Sequence, residues 1–199
     1  MYQLLPADEK ANKEYKDAAF RMLFNEESNA AELYNAISGT NYTAGDIEIN
    51  TLESPLFFGN IRNDVSFRLN DKWIILLEHQ SSINPNLGLR CLFYIAIIYW
   101  QLIDRDGLYK STRMEIEKPE FVVLYNGTDN YPEKTIVKLS DLFRAEDGKV
   151  PNLEVIVTVY NVNAGHNAAI MKKSDMLKEY SLFIAKVREY LESGDELTP

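Results

Sequence analysis

The stretch "NDVSFRLNDKWIILLEHQSS", residues 63–82, decides how this chain is read. It consists of two runs suited to β-strands, separated by a short polar turn at Asn70-Asp71-Lys72. Side chains alternate between the two faces of a strand. In the second run Ile74, Leu76, Glu78 and Gln80 therefore share one face, and Trp73, Ile75, Leu77 and His79 the other. Both faces are apolar until the run ends, which predicts a central strand. In the first run Asp64, Ser66 and Arg68 share a face opposite Val65, Phe67 and Leu69. A three-residue turn sets Leu69 against Trp73 and, counting outward, Asp64 against Glu78 on one side of the sheet. A two-residue turn would place them on opposite faces. The three-residue turn contains no glycine, but Asn and Asp tolerate left-handed conformations.

Directly opposed carboxylates repel and weaken a sheet. A bound divalent cation offsets that repulsion, and carboxylate oxygens are hard ligands suited to Mg²⁺ or Mn²⁺. The amide of Gln80 both donates and accepts, so it can hold a water or a phosphate beside such an ion. This constellation points to metal-assisted hydrolysis of a phosphodiester. The bland alternative is an ordinary hairpin with polar ends.

The rest of the chain is read outward from this hairpin. "NKEYKDAAFRMLFN" carries Tyr15, Ala19, Met22 and Leu23 at helical spacing, and "ESNAAELYNAIS" is a second helix ending near Gly39. "DIEINTL" alternates like an edge strand. After the hairpin, Pro85 stands near the start of a helix over about residues 86–105, apolar nearly all round and so expected to be buried. "EFVVLYNG" and "LEVIVTVYNV" are strands, and "DMLKEYSLFIAKVREYLES" is a closing amphipathic helix. The order helix, helix, three strands, helix, strand, strand, helix predicts an α/β (α+β) fold with a mixed sheet.

The 199 residues suit one domain, and 46% hydrophobic content with 26% charged residues suits a globular core. The start, "MYQLLPADEKANKEYKD", lacks a basic flank followed by an apolar run, so no signal peptide is expected. The longest apolar run, "CLFYIAIIYW", is too short for a bilayer, which needs about 20 residues. With a lone Cys91 inside that run, a cytoplasmic chain with no membrane contact is expected, in which the Asn-x-Thr matches at Asn41 and Asn126 have no role. A net charge of −9 argues against a broad basic surface that coats nucleic acid, though not against a local basic groove. A histidine-based metal site is disfavoured, because His79 points to the other strand face and the only other histidine is His166.

The pattern Asp64…Glu78-His79-Gln80 resembles the Asp…Glu-x-Gln variant of the PD-(D/E)XK nuclease superfamily. More narrowly, the chain is similar to the Rpn family of recombination-promoting nucleases and transposases. "KDAAFRMLF" is similar to that family's opening helix, "LEHQSS" to its central signature, "LRCLFYIAIIY" to its helix with Arg90 and Tyr94, and "FVVLYNGTDNYP" to its later strand and turn. Asn63 stands where the parent pattern has a proline, and Gln80 where it has the catalytic lysine. The resemblance implies a mixed four-stranded sheet flanked by helices, spanning residues 10–170. Residues 171–199 would form a closing helix or the start of a truncated helical extension. It implies Mg²⁺ or Mn²⁺ held by Asp64, Glu78 and the backbone carbonyl of His79, with Gln80 as the third catalytic residue and DNA as substrate.

Two residues keep open readings. Arg90 either contacts DNA phosphate or pairs with a carboxylate, and Asp17 is either a further acidic ligand or a solvated helix charge. Tyr94, Tyr99 and Trp100 are expected in the core, and Lys172 and Lys173 on a solvated face. Rival functions are a nuclease-fold module that binds DNA or protein without cutting, and a protein-interaction or oligomerisation domain, such as a homodimer, whose contact surface is the last helix.

Overall fold

The computed structural model describes residue 16 and residues 18–50, 65–70, 72–80, 82–144 and 149–193. Its helices are α1 (residues 18–24), α2 (Glu27–Ser38), α3 (Leu87–Leu102), α4 (Ala168–Met171) and α5 (Asp175–Ser193). Its strands are β1 (Ile47–Ile49), β2 (Val65–Leu69), β3 (Lys72–Gln80), β4 (Lys118–Tyr125), β5 (Lys134–Lys138) and β6 (Ile156–Asn161). They form one six-stranded sheet in the order β1-β2-β3-β4-β6-β5. β3, β4 and β6 run parallel, and the remaining pairs are antiparallel. The fold is therefore α/β with a mixed sheet. β3 is central and β1 is an edge, as the apolar patterns predict. β5, "KTIVK", is a strand the patterning does not reveal: at the opposite sheet edge Thr135 and Val137 are half-covered while Lys134, Ile136 and Lys138 are exposed. No helix among the described residues is long and apolar enough to cross a membrane.

One face of the sheet carries α1, α2 and α5. Phe20, Phe24, Leu33, Val65, Phe67, Leu124, Leu177, Tyr180 and Ile184 form its core. In α1 the inward residues are Phe20 and Phe24, with ring centroids 4.8 Å apart, whereas Met22 is 72% exposed. The expected stripe through Met22 is thus rotated, because the two phenylalanines bury more area and take the inner positions. Helix α2 stops at Gly39, whose φ of 74° is left-handed and whose N–H caps the carbonyl of Asn35. Helix α5 begins at Ser174, whose buried hydroxyl accepts from the Leu177 N–H. Leu177, Tyr180 and Ile184 recur at helical spacing and place α5 in the same core as α1 and α2.

The other face carries α3 alone among the described helices. Cys91, Tyr94, Ile95 and Ile98 pack on Phe121, Val123, Val157 and Val159. Gly88 lets the start of α3 approach the 3₁₀ turn Leu139–Leu142, since a Cβ there would stand 2.8 Å from the Leu139 Cα. The helix is not buried all round. Leu89, Phe93 and Trp100 lie on its outer side, and Trp100 is 46% exposed with the Arg105 guanidinium stacked 4.7 Å from its ring. Trp100 therefore leaves the expected core set. Tyr94 is buried, and Tyr99 is half-buried with its hydroxyl donating to the Glu117 carbonyl at 2.6 Å.

Candidate functional site

The β2–β3 hairpin closes with a two-residue turn, Asn70-Asp71: Leu69 pairs with Lys72, Phe67 with Ile74 and Val65 with Leu76. This overturns the three-residue turn read from the sequence. Asn70 adopts φ 52°, a left-handed conformation that suits the two-residue turns whose twist matches that of the strands. Every β2 residue is consequently paired one place earlier in β3 than the longer turn requires. The pairing of Asp64 with Glu78 does not follow from this register. Asp64 lies outside the described residues, and Val65–Leu76 is the last described pair of the hairpin.

A second irregularity sits within β3. Leu77 pairs with Val123 of β4, but Gln80 pairs with Tyr125, so β3 has one more residue than β4 across this interval. Strict alternation is broken there, and with it the simple argument that Glu78 and Gln80 share a face. In ladder terms, position 80 falls in the row of Val123 and Tyr125. Of Glu78, His79 and Gln80 only the backbone lies within the described residues, and Asp17 lies outside them. Among the described residues no group of three or more His, Cys, Asp or Glu side chains could hold a metal ion. The two carboxylates proposed as ligands are not part of that set.

The two ends of β3 differ chemically. At its start, Lys72 Nζ lies 3.3 Å from Glu120 Oε1, and the Tyr34 hydroxyl donates to Glu120 Oε2 at 2.8 Å. Burial first, then the bond to Glu120, pushes the Tyr34 phenol well above its ordinary value. Beside them Arg68 pairs with Glu117 at 2.6 Å. The buried Ser66 hydroxyl donates to the Asn50 carbonyl, which gives it a structural role.

At the carboxyl end, β4 and β6 finish on asparagines. Asn126 is 2% exposed; its Nδ2 donates to the Tyr180 hydroxyl at 3.2 Å, and its buried Oδ1 has no hydrogen-bond partner. Such burial agrees with the expectation that the Asn126 sequon has no role. Asn161 donates to the Tyr131 carbonyl at 2.8 Å and accepts from Asn163 Nδ2 at 2.9 Å. Asn163 also donates to the Gly127 carbonyl at 3.0 Å and accepts from Arg188 Nη1 at 2.9 Å. These bonds tie β4, β6 and α5 around an open cleft of about 500 Å³, bordered by Gly127, Asp129, Asn163, His166, Arg188 and Glu189. Sequence reasoning missed this network; its signal is the asparagine that ends each β-branched run in "LYNG" and "VYNVN". Ligands of open α/β sheets bind beyond the carboxyl ends of parallel strands. The Glu78–Gln80 segment ends β3 at that same edge.

Arg90, half-buried on α3, donates from Nη2 to the Tyr94 hydroxyl at 3.1 Å. Its described partner is thus a hydroxyl rather than a carboxylate. Lys172 and Lys173 are exposed, as expected. His166 Nδ1 lies 3.7 Å from Glu133 Oε1. No protein-family model matches this chain, and no curated protein matches it.

Proposed function

We propose that the protein is a metal-dependent DNA endonuclease of the PD-(D/E)XK type, acting in recombination or mobile-element traffic. One observation carries most of this reading. The Glu78-His79-Gln80 segment ends the central strand of a mixed α/β sheet, and it coincides with a one-residue register break. Bulges of this kind cluster beside active sites, where they re-aim side chains. The tight turn shifts the hairpin by one residue, and the extra residue in β3 shifts the count by one again. Ser66 pairs with Ile75, Ile75 with Phe121, and position 80 falls in that same ladder row.

In this reading Asp64, Glu78 and the His79 carbonyl hold Mg²⁺ or Mn²⁺, a hard-donor set that fits such ions. The bound ion supplies Lewis acidity and a lowered water pKa. Gln80 orients the attacking water or the scissile phosphate through its amide. It carries no charge, so charge stabilisation by a lysine is not part of this chemistry. The test is plasmid cleavage with Mg²⁺, Mn²⁺ or EDTA, by the wild type and by Asp64→Ala and Glu78→Ala. Cutting that persists in either variant, or in EDTA, ends the assignment.

The net charge of −9 favours a second reading, a nuclease-fold module that binds DNA or protein without cutting. Divalent-independent DNA retention without nicking in the same assay supports that module.

A further inference from the structure

The loop that follows β6 and the first half of α5 enclose a cleft of about 450 Å³. That lies within the roughly 300–1,000 Å³ of small-molecule sites. Its walls are apolar, built from Ala164, Ala168, Met171 and Leu182. On α5, Ser181 and Leu182 stand three and four residues beyond Lys178, so all three share the helix face that borders the cleft. Ser181 also borders the cleft beyond β4 and β6, so it lies where the two clefts meet, together with Ala164 and His166. Ser181 is 6% exposed, and its buried Oγ has no hydrogen-bond partner among the described residues. A buried hydroxyl left unpaired is costly, and a ligand that reaches it removes the cost. At the rim Lys172 and Lys178 are exposed, and neither forms an ion pair with a described residue. Asp175 is the one carboxylate among the residues that border this cleft, so the lysines outnumber it.

We propose that this cleft binds a nucleotide. The base enters between Met171 and Leu182, its edge pairs with the Ser181 hydroxyl, and its phosphate meets Lys172 and Lys178. A hydroxyl both donates and accepts, which suits the mixed edge of a base. The Met171 thioether packs favourably against an aromatic ring. Lysine holds phosphate as a point charge, and two of them at a rim match a doubly charged group. An apolar acid without a polar edge would leave Ser181 unpaired, and inorganic phosphate would leave the apolar walls uncovered. The same unit occurs as a free nucleotide and at the phosphorylated end of a DNA strand. The inference goes beyond the cleavage reading and does not depend on it, since Asp64 and Glu78-His79-Gln80 take no part in this cleft.

Calorimetric titration of the full chain with 2′-deoxyadenosine 5′-monophosphate, in EDTA so that no divalent ion acts, tests this. One molecule is expected to bind per chain. Lys172→Gln and Lys178→Gln should each weaken it about tenfold, as for loss of a charge-assisted contact. Both lysines are exposed, so these variants keep the fold. Lys173→Gln should bind like the wild type, because Lys173 borders a different cleft beside α2. Ser181→Ala should act with opposite signs: the ligand-free protein melts higher, because an unpaired hydroxyl is gone, and nucleotide binding weakens. Competition names the source. Displacement by a 5′-phosphorylated oligothymidylate, but not by its 5′-hydroxyl form, assigns a strand end; no displacement by either assigns a free nucleotide. Equal displacement by both forms overturns the proposal. So does the absence of saturable binding at millimolar nucleotide, wild-type binding in both cleft-lysine variants, or equal weakening by Lys173→Gln. Lost nucleotide binding with plasmid cleavage intact removes only this site, and lost cleavage with binding intact removes only the nuclease reading.

Discussion

The two ends of β3 are built to different standards. At the lysine end Lys72, Arg68, Glu117 and Glu120 are all paired. Lys72 and Tyr34 share the Glu120 carboxylate, and Arg68 takes Glu117. At the glutamine end the ladder slips by one residue, and the neighbouring β4 runs into a buried Asn126 whose Oδ1 lacks a partner. A buried unpartnered acceptor costs about 1–3 kcal/mol, and a bulge gives up ladder bonds. Folding alone would favour making both ends like the first. The difference teaches that the less satisfied end is the one carrying the segment whose residue types suggest phosphodiester chemistry.

The largest expected effect breaks or keeps that contrast outright. Asp64→Ala and Glu78→Ala should each reduce divalent-dependent plasmid cleavage to the EDTA background while far-UV circular dichroism stays native. A variant at the other end, Lys72→Met, should cut like the wild type. Next comes a thermodynamic signature that needs no DNA. A cation that binds only the folded state stabilises it by about 2.7 kcal/mol at one hundred times its Kd. Melts of the wild type should shift upward with Mg²⁺ or Mn²⁺ accordingly, and Glu78→Gln should lose most of the shift. Equal shifts in both proteins would remove Glu78 from the ion's surroundings.

Smaller effects sharpen the account of the lysine end. Tyr34→Phe deletes the bond to Glu120 but leaves Lys72 in place, so a loss of about 1 kcal/mol is expected from denaturant titration. The same residue gives a pH dependence with a definite sign. The folded protein holds the Tyr34 phenol above its ordinary value of 10.0. Its contribution is therefore complete below pH 10 and is lost as pH rises past that point, where the unfolded chain ionises first. Wild-type stability should fall more steeply than that of Tyr34→Phe above pH 10; parallel curves would show that the phenol is not held in its neutral form. Smallest of all, Lys72→Met should cost no more than about 1 kcal/mol, because the ion pair is partly solvated.

How much of this the sequence disclosed depends on which physical signal each part carries. Helices α2 and α5 are legible to the residue, since Gly39 and Ser174 mark a stop and a start beside regular apolar spacing. The central position of β3 follows from its apolar run. β5 is hidden because an edge strand with a lysine at each end and no buried residue buries too little to look like one. The two-residue turn is hard to read from sequence because Asn70 does what is usually left to glycine, and that one residue moves every cross-strand pair. The register break at Leu77–Gln80 has no local signature, since it arises from the fit of β3 to a distant strand, β4. For the same reason the sequence cannot show that Trp100 lies outside the core: its residue type is apolar, but burial depends on what the fold packs on that side. Asp64 and Asp17 remain sequence expectations, and Arg90, read as meeting either a DNA phosphate or a carboxylate, donates to the Tyr94 hydroxyl.

Cys91 turns the interior of the single-helix layer into a measurable quantity. It is fully buried between α3 and the sheet, and burial pushes its thiol far above the range in which thiolate forms. A thiol reagent can reach it only when α3 lifts from the strands. The labelling rate of this one atom, followed against denaturant, therefore reads the free energy of that opening separately from global unfolding. The chain carries its own clock for the layer that holds α3.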